Sequence, residues 1–302
     1  MLKNNAIKNI ILKYETSIVL SLVVLSILVV LLSNDEQDSY SIERKFRYSF
    51  TLQNKTNQLL NNVDFWVYAP VKQTSNQKLM DITASLDFKL NNDGLGNQVL
   101  HFKIPYLAPY ASKVISLEST LLLSTKPVNQ KLISKERFLQ QEKYVEVNHP
   151  KITEVAKQFQ NKNIALMARS TMEWVNKNIK YAGYIEDDRG ALYSLKTRTG
   201  DCTEYMYLYT ALMRNKGIPV RNIGGYVYSE NKVLKAEDFH NWSEIYLDGK
   251  WQVVDPQNGT FLDNQNHYIA FRVITDKMDG TLAPSNTQRF AVSHANIAVQ
   301  MN

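Results

Sequence analysis

The chain contains very little cysteine, since Cys202 is its only thiol among 302 residues. One thiol can neither form a disulfide within the chain nor build a zinc site from several cysteines. A free thiol in an exported protein is open to oxidation unless it is buried or used chemically. The sequence therefore argues against a disulfide framework and a cysteine-rich zinc site. We predict no metal site and no cofactor, and the surroundings of Cys202 become the place to look for chemistry.

The sequence also lacks a dense block of basic residues beyond its N-terminal flank. Its lysines and arginines are scattered along polar segments, although the formal net charge is +6. Scattered cations favour an ordinary surface with a basic bias over a nucleic-acid-binding face. We predict no nucleic-acid partner.

Charged residues are missing from residues 16–34, and residues 18–32 are almost entirely apolar. Such a stretch is just long enough to cross a hydrocarbon core of about 30 Å. Lysines precede it and acidic residues follow it, so we expect the N-terminus in the cytoplasm and the rest of the chain outside. A cleaved signal peptide is the alternative, but no Ala-x-Ala site follows the apolar run. We predict a single-pass anchor within residues 1–36, in an inner (plasma) membrane, with the following domains periplasmic or extracellular.

The remainder divides into a strand-rich part and an α+β part. Residues 40–125 alternate apolar and polar side chains between turn-forming clusters, which predicts a small antiparallel β-sandwich with a spacer or docking role. Residues 126–150 are polar and mixed, and we interpret them as a connector. Residues 151–302 show helical spacing first and then several short strands, the order typical of an α+β domain. We predict the chemistry in this last domain.

Cys202 is expected in the first turn of a helix. Asp201 suits the N-cap and Glu204 the third helical position, so together they can close a capping box, and we assign these two acids no chemistry. Gly217 ends the same helix. A sulfur in the first turn lies near unpaired backbone N–H groups and the positive end of the helix dipole, which favours a thiolate. The N–H of Cys202 is also a candidate oxyanion donor.

A hairpin is predicted around Asp248-Gly249, a strong signal for a two-residue turn. If Leu247 pairs with Lys250, then His240 and Asp255 become diagonal neighbours on one face of the hairpin. Diagonal partners are within reach of a His–Asp hydrogen bond. A three-residue turn would place them on opposite faces. Each of these residues has a common structural role by itself, but the joint occurrence of a cysteine, a histidine and an aspartate in this register predicts a catalytic triad of Cys202, His240 and Asp255.

These segments resemble the core of the transglutaminase-like superfamily. The resemblance lies in five segments: residues 174–181 (WVNKNIKY), 198–204 (RTGDCTE), 212–219 (LMRNKGIP), 221–228 (RNIGGYVY) and 240–259 (HNWSEIYLDGKWQVVDPQNG). It implies a papain-like fold in which the helix of Cys202 packs on an antiparallel sheet. It also implies that Cys202 is the nucleophile, His240 the base and Asp255 the group that orients the base. Trp242 and Trp251 correspond to aromatic positions around the cleft and sheet, and we expect a structural role for both.

The sequence also departs from two branches of that superfamily. It has neither the length nor an acidic calcium loop of the animal cross-linking enzymes, and its single cysteine excludes the zinc site of peptide N-glycanases. With those two branches excluded, the sequence resembles a microbial, membrane-anchored branch of the superfamily, whose members are variously proteases, amidases or cross-linkers.

The resulting hypothesis is a membrane-anchored thiol enzyme that acts on peptide or glutamine-type amides of protein or peptide substrates in the cell envelope. Transfer of the acyl group to water makes a cysteine peptidase or amidase, which we favour, and transfer to a lysine amine makes a cross-linking acyltransferase. A non-enzymatic envelope adaptor is the alternative from another class.

Overall fold

The computed structural model describes residues 39–276 and 289–302. The predicted anchor, with all of residues 1–36, lies outside the described residues. Within the described ranges, no helix combines the length and the apolar character needed to cross a membrane. The first described strand begins at Ile42.

The first half of the described chain is built from six strands: β1 (Ile42–Asn54), β2 (Leu60–Ala69), β3 (Gln77–Ala84), β4 (Phe88–Asn92), β5 (Gln98–Leu107) and β6 (Ser112–Leu123). β1 and β3 flank β6 in one antiparallel sheet, and β2 and β4 flank β5 in a second. Alternate residues of β1, such as Phe46 and Phe50, share one core cluster with Phe65 of β2 and Phe102 of β5. Period-two alternation therefore packs the two sheets against each other, as the sequence predicted for this region.

One strand expected from the sequence is two strands in the structure. The apolar segment at residues 82–90 looks continuous, but β3 ends at Ala84 and β4 begins at Phe88. β3 pairs with β6 of one sheet and β4 pairs with β5 of the other. The chain changes sheets between them, and local alternation cannot reveal that step because it is the same on both sides.

The second half of the described chain contains four α-helices and ten strands, of which the last two are described below. The helices are α1 (Pro150–Ala156), α2 (Ile164–Asn178), α3 (Ala191–Thr197) and α4 (Cys202–Asn215). The first eight strands are β7 (Lys180–Tyr181), β8 (Thr199–Gly200), β9 (Val220–Val227), β10 (Lys232–Val233), β11 (Phe239–Leu247), β12 (Lys250–Asp255), β13 (Thr260–Phe261) and β14 (Tyr268–Ile274). Residues 182–200 are largely polar, a pattern that by itself predicts a loop, whereas the structure forms α3 within them.

The central sheet of this half is antiparallel, with the order β13-β12-β11-β9-β14. α4 packs on β11 and β9 and has nearly every residue buried. The hairpin pairs Leu247 with Lys250 as predicted, and both turn residues, Asp248 and Gly249, have positive φ (51° and 79°). Positive φ at both turn positions is the mark of a type I′ turn, whose twist matches that of the flanking strands.

The last two strands return to the first half of the chain. β15 (Phe290–Val292) pairs with β2, and β16 (Ile297–Met301) pairs with β1. β10 also pairs with β1, in parallel. A domain boundary at residue 151 assigns these strands to the second domain, whereas their backbone hydrogen bonds place them in the sheets of the first. Pairing between segments so distant in sequence has no local signature.

Side chains from the first half also pair with the outer edge of β14. Gln77 Oε1 accepts from Ala270 N at 2.8 Å, and Gln77 Nε2 donates to Ala270 O at 2.9 Å. Asn97 does the same at Val273, where its Oδ1 accepts from N at 2.6 Å and its Nδ2 donates to O at 3.0 Å. These two buried amides take the place of a neighbouring strand, so the sheet that carries the hairpin is completed by residues of the sandwich.

Gln77→Leu is expected to lower the free energy of unfolding by about 1–3 kcal/mol, because a side chain of similar size would leave the buried backbone N–H of Ala270 unpaired. Urea unfolding monitored by tryptophan fluorescence would measure it. Gln58→Leu, the same change at an exposed position, is the matched control and should shift stability by no more than about 0.5 kcal/mol. Equal stabilities for the two variants would show that the pairing of Gln77 contributes nothing.

Candidate active site

Cys202 is the first residue of α4, as its capping signals predicted. Asp201 Oδ1 accepts from Thr203 N at 2.8 Å, and Glu204 Oε2 accepts from Asp201 N at 3.1 Å, which closes the capping box. Gly200 allows this arrangement, because a Cβ there would lie 2.4 Å from Glu204 Cβ. The N–H of Cys202 has no partner within the helix, as is general for the first helical turn. The half-buried thiol therefore lies at the positive end of the helix dipole.

The hairpin brings His240 and Asp255 into contact. His240 lies near the start of β11 and Asp255 ends β12, and the distance from His240 Nε2 to Asp255 Oδ2 is 2.7 Å. The His240 ring also lies near Cys202, because the thiol is among the groups that raise the pKa of the imidazole. Because Nε2 faces the carboxylate, Nδ1 is the ring nitrogen left for the thiol. The structure thus brings together all three residues that the sequence singled out.

Asp255 has no solvent exposure, and four donors surround its carboxylate. Besides His240, Asn258 Nδ2 donates to Oδ2 at 2.8 Å, Tyr268 Oη donates to Oδ2 at 3.1 Å, and Asn258 N donates to Oδ1 at 3.2 Å. Burial alone raises the pKa of a carboxyl group, yet the hydrogen bonds from His240 and Asn258 hold the pKa of Asp255 below its ordinary value. Asp255 is therefore an ionised carboxylate that fixes the orientation of His240.

His240 is correspondingly easy to protonate. Burial by itself lowers the pKa of the imidazole, but the hydrogen bonds to Asp255 and Cys202 outweigh burial and raise its pKa from 6.5 to about 10. The indole of Trp242 stacks beside the ring at 6.3 Å between centroids and 21° between planes. Trp242 is itself fully buried, which agrees with the structural role expected for it. At neutral pH the site holds an imidazolium next to the sulfur.

Asn241, the residue after His240, also reaches the thiol. Its Nδ2 lies 3.8 Å from Cys202 Sγ and donates to Thr203 Oγ1 at 2.9 Å. The sequence analysis assigned no role to Asn241, Asn258 or Tyr268. The spacing of Asn258 is a weak indication of its contact with Asp255, because an asparagine three residues after an aspartate can close a turn on that carboxylate. Tyr268 had none, because only the sheet brings β14 close to Asp255.

A cleft of about 660 Å³ opens beside the thiol. Cys202, Thr203 and Asn241 lie on one side of it, and residues of the wall loop, which we define as residues 182–190, lie on another. Tyr184 of the wall loop is 82% exposed. The nucleophile candidate therefore faces a groove large enough for an extended peptide segment.

Three acidic side chains attach the wall loop to α4. Asp201 Oδ2 accepts from Ile185 N at 3.0 Å, and Glu204 Oε1 accepts from Arg189 N at 3.0 Å. Asp188 of the loop accepts from Tyr207 Oη of the helix at 2.9 Å. The capping residues Asp201 and Glu204, to which the sequence analysis gave only a capping role, thus also shape one side of the cleft.

A sulfur at a helix start, beside an imidazole held by a buried carboxylate, is the arrangement used by thiol hydrolases and acyltransferases. Comparison with known proteins agrees with that class. Residues 153–256 match the family model of the transglutaminase-like superfamily. This part of the chain is a transglutaminase-like domain, as the motifs around Cys202, His240 and Asp255 predicted.

Individual proteins are also similar to this chain. Kyphoscoliosis peptidase from Homo sapiens is 29% identical over 121 aligned residues, with 33% of this chain and 18% of the human protein covered. The Mus musculus protein of the same name is 26% identical over 121 residues, with the same coverage. This chain therefore spans less than a fifth of the length of these relatives. The structure of a candidate cysteine protease from Cytophaga hutchinsonii has a TM-score of 0.57 at 18% identity, with 86% of this chain and 92% of that one covered, and it shares the fold.

Glu204→Gln is expected to change how stability depends on pH. Burial raises the pKa of Glu204 to about 7 from its ordinary 4.5, so the folded protein binds this proton more tightly than the unfolded chain does. The stabilisation from this proton is fully present below pH 4.5 and is lost as the pH rises to about 7. Urea unfolding between pH 4 and 8 should therefore show wild type losing stability over this window relative to the variant.

Glu186→Gln, the same change at an exposed position of the wall loop, is the control and should follow wild type. If the stability curves of wild type and Glu204→Gln ran parallel from pH 4 to 8, the raised pKa of Glu204 would be wrong.

Proposed function

We propose that this protein is a thiol enzyme that cleaves peptide or glutamine-type amides through a thioester on Cys202. The single observation that supports it most is the position of His240, which hydrogen-bonds the buried Asp255 at 2.7 Å and lies near enough to Cys202 for the thiol to raise the pKa of its imidazole. A structural histidine needs neither an ionised, solvent-free carboxylate nor a thiol at the mouth of a cleft. The names of the relatives, a peptidase and a candidate cysteine protease, favour hydrolysis over cross-linking.

The proposed reaction has two steps. Cys202 Sγ attacks the amide carbonyl carbon, and the C=O electrons move to the oxygen. As the C–N bond breaks, His240 gives its proton to the leaving nitrogen, and a thioester remains. Water then attacks the thioester while His240 takes up a water proton. The C–S bond breaks, the acid product leaves, and the thiolate–imidazolium pair is restored.

The acceptor decides the enzyme class. With water as acceptor the protein is a peptidase or an amidase, and with a lysine amine it is a cross-linking acyltransferase. We propose protein or peptide substrates of the cell envelope, on the basis of the anchor expected within residues 16–34. Release of the chain from membranes by alkaline carbonate would contradict that anchor.

Incubation of the protein with a pool of cell-envelope peptides and a fluorescent primary amine is expected to separate these outcomes. New α-amino groups indicate a peptidase, ammonia without amine incorporation indicates an amidase, and amine incorporation indicates a cross-linker. An acyl group of defined mass should be trapped on Cys202. Cys202→Ser, which is nearly isosteric, should retain the fold and lose at least about 10³-fold in turnover.

The adaptor alternative predicts a different result in the same samples. It is supported if no peptide is consumed and iodoacetamide labels Cys202 equally slowly in wild type and His240→Ala. Unchanged turnover in Cys202→Ser would reject Cys202 as the nucleophile.

Asp255→Asn should reduce turnover at neutral pH by about 10²–10⁴-fold while the fold is retained, because the imidazole loses its fixed orientation and its counter-charge. In wild type, kcat/KM should fall as the pH rises through about 10, the pKa of His240, because His240 then no longer carries the proton for the leaving nitrogen. In the variant this alkaline limb should move to lower pH, because burial remains while the partner that raises the pKa is weakened.

The pH dependence of kcat/KM for both proteins, with Asp263→Asn as a control at an exposed carboxylate, measures these effects. An alkaline limb at the same pH in wild type and Asp255→Asn would remove Asp255 from this role.

A further inference from the structure

We propose that Asn241 is a further catalytic residue, whose side-chain amide completes the oxyanion hole together with the backbone N–H of Cys202. This inference rests on the proposed acyl-transfer function. It assigns a chemical role to a residue that neither the motif analysis nor the triad requires.

The position of Asn241 comes first. It directly follows His240 in β11, and its Nδ2 lies 3.8 Å from Cys202 Sγ, inside the cleft. Its other polar contact, at 2.9 Å, is with the hydroxyl of Thr203, the residue after Cys202. Strand β11 therefore presents the amide of Asn241 to the first turn of α4, directly after the residue that carries the imidazole.

The distance suits an oxyanion donor. Once Sγ is bonded to the substrate carbon, the oxygen on that carbon lies about 2.7 Å from the sulfur, and a donor must lie about 2.7–3.1 Å from that oxygen. A nitrogen 3.8 Å from the sulfur can satisfy this distance without a change of backbone. The amide carries two hydrogens, so one can stay on Thr203 while the other turns to the oxyanion. Thr203 is thus a positioning residue for Asn241.

The orientation of the amide has its own support. Asn241 Oδ1 is buried and has no hydrogen-bond partner among the described residues. It lies over Gly224, where a Cβ would come within 3.1 Å of it. Exchanging the two ends would instead leave the NH₂ group buried without a partner, and would turn Oδ1 toward the position where the proposed reaction forms an oxyanion. The N–H end therefore faces the sulfur, next to where negative charge develops during the proposed reaction.

Two reactions of the same thiol separate this role from others. Acylation by p-nitrophenyl acetate passes through a tetrahedral oxyanion, whereas alkylation by iodoacetamide does not. Asn241→Ala should slow acylation of Cys202 by about 10²-fold, the usual effect of one oxyanion donor. Its alkylation rate, taken on the plateau where the thiol is fully ionised, should stay within about threefold of wild type, because no oxyanion forms. Thr203→Val, which removes only the acceptor that orients Asn241, should give an intermediate loss of acylation.

The controls distinguish failure of this inference from failure of the proposed function. Asn61→Ala, at an exposed asparagine of β2, should change neither rate, and Cys202→Ser shows the background of both reactions. Loss of acylation without loss of alkylation supports the inference. A parallel loss in both reactions, or no loss in either, overturns it while wild-type acylation still supports a thiol enzyme. If wild type itself is not acylated, the proposed function fails first. Should Asn241→Ala unfold, Thr203→Val decides by the same two rates.

Discussion

The arrangement of the site depends on the 2.7 Å hydrogen bond between His240 and the buried carboxylate of Asp255. An ionised carboxylate without solvent is stable only when donors replace the lost water. Those donors come from three places: His240 on β11, Asn258 in the turn after β12, and Tyr268 at the start of β14. The register of the whole central sheet is thereby tied to the orientation of one imidazole, and the imidazole in turn is presented to the thiol.

The sandwich also supports the sheet that carries the site. Tyr226 and Phe271 of the central sheet belong to the core cluster of the sandwich, and Gln77 and Asn97 pair with the edge of the strand that carries Tyr268. β14 therefore couples the sandwich to the site. Gln77 and Asn97 satisfy the backbone groups on its outer edge, and this pairing holds the strand in the position from which the Tyr268 hydroxyl reaches Asp255. The spacer or docking role expected for this part of the chain leaves out its contribution to that sheet.

Several parts of the site follow from local sequence alone. Asp201 and Glu204 cap α4 as their spacing predicts, so the helical turn that holds Cys202 is a local property. The Asp248-Gly249 turn sets the pairing of the hairpin, and that pairing places His240 and Asp255 on one face. Both are short-range signals with a definite geometry, one from capping and one from a two-residue turn with positive φ. These signals place Cys202 at a helix start and His240 beside Asp255, whereas the packing of that helix on the sheet was implied by the resemblance to the superfamily.

The sequence by itself thus determined the α+β order of the second half, the start of α4, the hairpin register and the triad candidates. The tertiary structure decided the rest: the return of β15 and β16 to the first sheets, the amides of Gln77 and Asn97 on β14, the donors from Asn258 and Tyr268, and the contact of Asn241 with the sulfur. The physical reason is the range of the interactions. Caps and tight turns are satisfied within a few residues, whereas edge pairing and the solvation of a buried charge draw on partners that only the completed fold brings together.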